Sequence, residues 1–489
     1  MKVKKLSRIL LLFLACLLTV TACKKDYEQT AEAELLKVKN QILGKPGGGT
    51  TTPPLTGPLL EAEKGSLSNG AVAVADATRS GGFFVEQNAG NVSFQVSIPA
   101  DAFYNIYVNA ASPYGDKTNN IVIDGTSTAF TIQSNTAYSE YKVVSTFKLT
   151  AGTHTIAVTN SWGYLRIDYL KLEVTDLSTR FNINTSLVTP GSTVQANNVY
   201  QFLKANYGSK ILSGVMTLNS FDETDWLKQN TGKEPAIMGV DFMNVNRAYA
   251  WYDDQTTTRD SKTWWDRNGI PIYTWHWRDP SRLTEAFYTN ETIFDVNKIF
   301  SLGSPEYNAM ISDIDYVSGL LKDLQAQNVP VIWRPLHEAA GGWFWWGAKG
   351  PEPCKKLYQV MYDRMVNYHG LKNLIWVWTR EPNDEAWYPG DAYVDIVGRD
   401  IYKTGDHSSQ AIEFNNMNAL YGGKKMVTIS ECGSNPDPDN LVADAAAWSW
   451  FMTWYGNYTR RSTYNSLTLW KKIMAHPYVI TLDEMPSLK

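Results

Sequence analysis

Eight short, almost uninterrupted apolar runs recur through the last roughly 300 residues, and they restrict the fold more than any other feature of the chain. They occupy residues 211–216, 236–242, 271–277, 330–336, 374–379, 394–402, 425–431 and 450–455. A strand that is apolar on both faces must be covered on both faces, which is the condition of a parallel sheet flanked by helices. Amphipathic stretches such as 311–327 and 353–369 lie between the runs. Eight such alternations predict an α/β fold, a closed (β/α)8 TIM barrel. A doubly wound open sheet satisfies the same pattern, but no glycine-rich phosphate loop follows the first run.

A barrel of this kind carries its function at the C-terminal ends of its strands. The polar and aromatic residues that fall there are Asp241, His276, Arg334, His337, Glu338, Tyr402, Glu431 and Trp454. Glu338 follows the fourth run and Glu431 ends the seventh, so the two carboxylates are expected to face each other across the mouth. Beside Glu338 stand Trp343, Phe344, Trp345 and Trp346. Aromatic faces stack on the C–H faces of sugar rings while polar edges meet their hydroxyls. Two carboxylates across a sugar-lined cleft are what glycoside hydrolysis requires. Glu338 suits the acid/base, because His337 and Trp343 shield it from water and shielding raises a carboxyl pKa. Glu431 suits the nucleophile, with Arg334 and Tyr402 placed to stabilise its anion.

Other classes are excluded. The net charge of −4 lacks the basic excess of a nucleic-acid binder. No third ligand stands at a zinc-site spacing from the histidines. Cys354 and Cys432 do not make a disulfide framework, and Cys432 beside Glu431 is expected to be a buried thiol.

The part before the barrel divides into three. Residues 1–22 have a basic start, an apolar run and small residues before Cys23, which describes a secretory signal. Residues 23–58 contain Gly-Gly-Gly-Thr-Thr-Thr-Pro-Pro and read as a tether. Residues 59–175 hold short alternating segments, 92–98, 104–108, 142–147 and 154–158, separated by Gly, Asn, Asp and Ser clusters, which predicts a β-sandwich. There Trp162, in a loop with Gly163 and Tyr164, is the candidate stacking platform, with Asn119 or Asn120 as its polar partner.

Three resemblances extend this reading. Val20-Thr-Ala-Cys23 resembles a bacterial lipobox, with Val where Leu is usual. It implies lipidation at Cys23, a membrane anchor and an outer-membrane location, facing the cell surface. Leu60-Glu-Ala-Glu63, Ala151-Gly-Thr-His-Thr-Ile156 and Leu165-Arg-Ile-Asp-Tyr-Leu170 resemble carbohydrate-binding module family 35. That family holds a structural Ca²⁺ on acidic residues near its termini, which implies Glu61 or Glu63, and Asp168, as ligands; hard oxygen donors suit the ion.

From residue 178 onward the chain resembles glycoside hydrolase family 26. The resemblance rests on Trp333-Arg-Pro-Leu-His-Glu338, Trp343, Ser430-Glu431, Trp275-His-Trp277, Val397-Gly-Arg-Asp-Ile-Tyr402 and Trp376-Val-Trp378. It implies a retaining endo-β-1,4-mannanase acting on mannan or galactomannan, with Glu338 as acid/base and Glu431 as nucleophile. His337 and Trp343 would line the central subsites, His276 would bind sugar, Tyr402 would touch the nucleophile, and Trp454 would stack under the reacting ring. Arg334 and Asp241 complete the expected substrate site. No catalytic cofactor is expected, and a monomer is. A β-1,3-xylanase, a mixed-linkage β-glucanase and a non-catalytic glycan-binding lipoprotein are the alternatives. Leu336, where the family more often has Phe, and Ala339-Ala340, where it has Met-Asn, are departures expected to border the leaving-group side.

Overall fold

A computed structural model describes residues 56–489, apart from 176, 178–179 and 245–254. The segment read as a signal, Cys23 with its expected lipidation and all but the end of the expected tether therefore lie outside the described residues.

The first unit is the expected β-sandwich. Its strands are β1 (Thr56–Glu61), β2 (Ser66–Ser68), β3 (Val72–Ala75), β4 (Phe83–Glu86), β5 (Asn91–Ile98), β6 (Ala102–Ser112), β7 (Lys117–Ile123), β8 (Thr126–Ile132), β9 (Asn135–Leu149), β10 (Gly152–Thr159) and β11 (Arg166–Val174). One sheet runs β3-β4-β11-β6-β9 with β1 paired to β11, and the other runs β2-β5-β10-β7-β8. Alternation decides which side chains face inward. On β5, Val92, Phe94, Val96 and Ile98 are buried while their neighbours face outward.

All eight apolar runs form parallel strands: β12 (Ile211–Met216), β13 (Ile237–Asp241), β14 (Ile270–Thr274), β15 (Val331–Arg334), β16 (Leu374–Arg380), β17 (Ile396–Ile401), β18 (Met426–Cys432) and β19 (Trp450–Thr453). Each pairs with the next, and β12 pairs with both β13 and β19, which closes the barrel. Two runs outlast their strands. Pairing stops at Thr274 and Arg334, so Trp275 to Trp277 and Pro335 to Leu336 belong to the loops above the barrel. The connection from β16 to β17 has only the 3₁₀ turn Glu385–Trp387, and the helix Pro351–Tyr362 passes into a π-helical segment, Asp363–Tyr368.

The two units share an extensive contact. Strand β9 lies along the barrel helix Ala411–Leu420, and Ile412 from that helix is buried in the core of the sandwich. Asn416 accepts from the Ser145 N–H (2.7 Å) and donates to the Val143 carbonyl (3.3 Å). Arg180, in the joint, packs over Phe103 and Phe414 and donates to Asn415 (2.6 Å) and the Ala445 carbonyl (2.7 Å).

Candidate active site

The loop after β15 is built under backbone strain. Leu336 (φ 50°) and Glu338 (φ 52°) both adopt the left-handed conformation that side chains with a Cβ disfavour. Strain of this kind persists only where the surroundings over-determine it. Here Trp346 donates from its indole to the His337 carbonyl between them (2.9 Å), and Trp345 donates to the Trp277 carbonyl (2.6 Å). Both indoles are fully buried. The aromatic run therefore splits: Phe344, Trp345 and Trp346 are packing that fixes the loop, and only Trp343 is substantially exposed. The Trp343 indole N–H donates to Oε2 of Glu338 (2.9 Å).

Glu431 and Glu338 lie in contrasting environments. Arg334, 2% exposed, donates to one Glu431 oxygen, and the Tyr402 hydroxyl donates to the other (2.7 Å). Arg334 also holds Asp400 (3.0 Å) and Thr379 (3.0 Å), and Asp400 accepts from the Ser430 hydroxyl (2.6 Å). One buried guanidinium thus bonds both carboxylates with charge-assisted hydrogen bonds. Among the described residues, no cation stands at hydrogen-bond distance from Glu338. Burial, with the charge and hydrogen bond of Asp400, pushes its carboxyl up to about 8; Glu381 adds to the rise and Arg334 opposes it. Burial also raises the Tyr402 hydroxyl, as do Asp400 and Glu338, so it remains a proton donor. One oxygen each of Glu338, Asp400 and Glu431 lie within 4.8 Å of one another.

A chain of hydrogen bonds supports the next side of the cleft. Asp241 accepts from the backbone N–H of His276 (3.0 Å), from its Nδ1–H (2.5 Å) and from the Met243 N–H (2.8 Å). Burial works against the Asp241 anion, but His276 and these donors hold it below the usual range. The remaining nitrogen of His276 meets Nε2 of His337 (3.1 Å). Burial pushes His337 well below its ordinary value, with His276 and Arg334 adding to the effect, so it is neutral. Trp454 packs edge-on against His276 (5.7 Å between rings).

The structure thus gathers Asp241, His276, Arg334, His337, Glu338, Trp343, Tyr402, Glu431 and Trp454 at one end of the barrel, but three have a different station from that expected. Arg334 pairs with Glu431 as expected, but it is committed to Glu431 and Asp400 and is not aimed at a sugar as the substrate-site expectation had it. Asp241 orients His276 rather than facing the cleft. His337 is 1% exposed, so it supports His276 and does not line a subsite itself. Leu336 and Ala339, expected at the leaving-group side, are both buried beneath the loop. Asp400, Ser430 and Thr379 were not singled out from sequence. A signal existed for two of them: Asp400 lies in the stretch Val397–Tyr402, two residues before Tyr402, and Ser430 directly precedes Glu431; the structure adds that Asp400 pairs in register with Glu431.

In the sandwich, Trp162 is 65% exposed, with Lys117 at 5.2 Å from its ring centroid. Asn119 is not its sugar-binding partner. It is fully buried and spends its amide on the loop, accepting from the N–H groups of Ser161 (3.1 Å) and Gly163 (2.8 Å) and donating to the Gly163 carbonyl (3.2 Å). Strand alternation turns Asn119 inward and leaves Asn120 as the outward residue. Glu61, Glu63 and Asp168 come together near Gly81 and Arg79. A Cβ on Gly81 would sit 2.6 Å from Glu63 and 3.2 Å from Glu61, and Arg79 lies 3.9 Å from Asp168.

Comparison with known proteins agrees with this geometry. The profile of Glycosyl hydrolase family 26 matches residues 188–484, and that of Carbohydrate binding module (family 35) matches residues 59–175. A mannan endo-1,4-beta-mannosidase of Thermothelomyces thermophilus is 35% identical over 447 residues, covering 88% of this chain and 91% of the relative. The crystal structure of a Podospora anserina GH26-CBM35 beta-(1,4)-mannanase superposes with a TM-score of 0.62 at 33% identity, covering 88% of this chain and 99% of that one. A ruminal GH26 endo-beta-1,4-mannanase gives a TM-score of 0.73 at 28% identity, covering 90% and 99%. The chain belongs to glycosyl hydrolase family 26.

Proposed function

We propose that this chain is an endo-β-1,4-mannanase that cleaves mannan or galactomannan with retention, by double displacement. The observation that carries the mechanism is the short distance between two unlike carboxyls. Oxygens of Glu338 and Glu431 approach within 4.8 Å. A retaining pair stands about 5–5.5 Å apart, whereas an inverting pair leaves about 6.5–9.5 Å for a water between them. The named relatives support the substrate.

Glu431 attacks the anomeric carbon as the glycosidic C–O bond breaks. Glu338 delivers its proton to the departing oxygen, which its raised pKa permits near neutral pH. Glu338, now a base, takes a proton from water, and the hydroxide adds to the anomeric carbon and frees Glu431. Tyr402 and Arg334 hold the nucleophile ionised and aimed, and the Trp343 N–H holds the acid. Glu431→Ala should lose mannan hydrolysis by on the order of 10⁴-fold, and azide should restore turnover of an activated aryl mannoside with inverted product. Retention of most wild-type activity on mannan would sink the assignment.

Two further readings accompany it. Glu61, Glu63 and Asp168 each keep a buried carboxylate oxygen with no hydrogen-bond partner, a donor set that fits Ca²⁺. The ion would fasten β1 to β11 and would stabilise rather than catalyse. Chelation with EDTA should lower the melting temperature and added Ca²⁺ should restore it; no change would remove the ion from the reading. Lipidation at Cys23 would hold the enzyme at the outer membrane. Radioactive palmitate should label the wild type and not Cys23→Ala.

A further inference from the structure

The sandwich walls a pocket that adjoins the catalytic cluster. A cavity of about 330 Å³ lies between the two units, lined by Asn120, Ser127 and Thr128 of the β7–β8 hairpin and by Tyr402, Lys403 and Gln410 of the barrel. Tyr402 is the hydroxyl that bonds Glu431, and Asp400 also reaches the cavity. The volume falls within the range of about 300–1,000 Å³ usual for small-molecule sites.

Its chemistry suits a neutral polyhydroxylated ligand. Amides, hydroxyls, the Lys403 ammonium and the Arg399 guanidinium line it, groups of the kind that pair with sugar hydroxyls, and the hairpin's Asn120, Ser127 and Thr128 present such groups from the sandwich side. Asp400 and Glu413 on the same wall disfavour an anion, while both cations are already engaged, Lys403 with Gln410 (2.8 Å) and Arg399 with Glu413 (2.9 Å) and Glu381 (2.8 Å). The walls are held in place. Asn383 of the barrel donates to Thr131 of β8 (3.2 Å), Thr131 shares a hydrogen bond with Thr118 of β7 (2.7 Å), and Asn416 fastens β9. A site assembled from both units is therefore pre-organised, which lowers the cost of binding. The backbone of Thr118, two residues before Asn120, also accepts from the N–H of exposed Trp162 (2.9 Å), so the same strand supports both the pocket and the aromatic platform.

We propose that this pocket is a glycan subsite built jointly by the sandwich and the barrel, which takes a further hexosyl residue of the same polysaccharide whose cleaved sugar lies at Glu431. It rests on the hydrolase reading above.

The test uses the full chain with Thr128→Trp, which fills the pocket, and Asn120→Ala with Ser127→Ala, which removes its donors. Hydrolysis is followed on an aryl β-mannobioside, linear mannohexaose and galactosylated mannan. The variants should lower kcat/KM on the long substrates by about tenfold and change the short one by less than twofold. A loss on mannohexaose identifies a backbone sugar, and a loss confined to galactosylated mannan identifies a branch. An unchanged ratio between long and short substrates overturns the proposal, as does an equal loss on all three. Titration of mannohexaose and a galactosylated mannan oligosaccharide into Glu431→Ala reads the pocket without turnover: weaker binding to at least one when Thr128→Trp is added supports it, and equal binding of both refutes it. If the wild type hydrolyses no mannan, the hydrolase reading fails and the titration still decides the pocket.

Discussion

The Tyr402 hydroxyl donates to Glu431 at 2.7 Å while Arg334 takes the other oxygen of the same carboxylate. On the double-displacement reading, Glu431 thus has both oxygens engaged before a substrate arrives, and its anion is stabilised where attack would begin. Tyr402→Phe keeps the ring and removes one charge-assisted hydrogen bond. A bond of that type contributes about 1.5–3 kcal/mol, so kcat should fall about 10- to 100-fold. The acid limb of the pH–rate profile should move to higher pH, because the Glu431 anion loses a donor. Unchanged kinetics would show that the hydroxyl is idle.

In the proposed mechanism Glu338 is the acid, and its raised pKa sets the alkaline limb. The acid is competent only while protonated, so kcat/KM should fall as pH rises through about 8. The same shift links to stability. Below the ordinary carboxyl value of 4.5 that holds in the unfolded chain, the group is protonated in both states. Between there and about 8 only the folded state keeps its proton, so the wild type loses stability as pH rises. Glu338→Gln, which cannot ionise, should gain in melting temperature over the wild type from pH 5 to pH 8. A difference that is flat across that range would contradict the assignment.

Gly341 keeps Trp343 in place. A Cβ there would lie 2.1 Å from the Trp343 ring, which must move away if one is added. Gly341→Ala should therefore reproduce Trp343→Phe, which removes the indole donor to Glu338. Both should lower kcat/KM on mannan by about tenfold and shift the alkaline limb in the same direction. Opposite shifts in the two variants would separate the glycine from the indole.

Among the described residues, Arg334 is the one cation bonded to both Asp400 and Glu431, within a nearly water-free cluster whose side chains are 2%, 1% and 4% exposed. Breaking a buried pair by removing one partner costs about 3–5 kcal/mol. Arg334→Met should destabilise the barrel by that order in urea unfolding and abolish activity. Adding Asp400→Asn should recover part of the stability and none of the activity. No recovery would mean that the two side chains are uncoupled.

Much of this protein could be read from the chain alone. Continuous apolar runs specify strands covered on both faces, and all eight became barrel strands because burial on both sides leaves such segments few other places. Glu338 and Glu431 were legible because strand ends of a closed barrel converge, so position along the sequence converts to position around the mouth. What could not be read depends on neighbours far along the chain. Asn119 and Asn120 differ only in which face of β7 they occupy, and only one meets the barrel. His337 looked like a ligand because it adjoins Glu338, yet the left-handed turns at Leu336 and Glu338 bury it. The proton on Glu338 depends on its burial and on the nearby Asp400, which Arg334 holds in place, residues brought together by strand pairing. Sequence determined the strands and the two carboxylates, since these follow from local pattern and barrel closure. Tertiary structure alone decided which group holds its proton and what lines the cleft, because charge and solvation are set by whatever packs nearby.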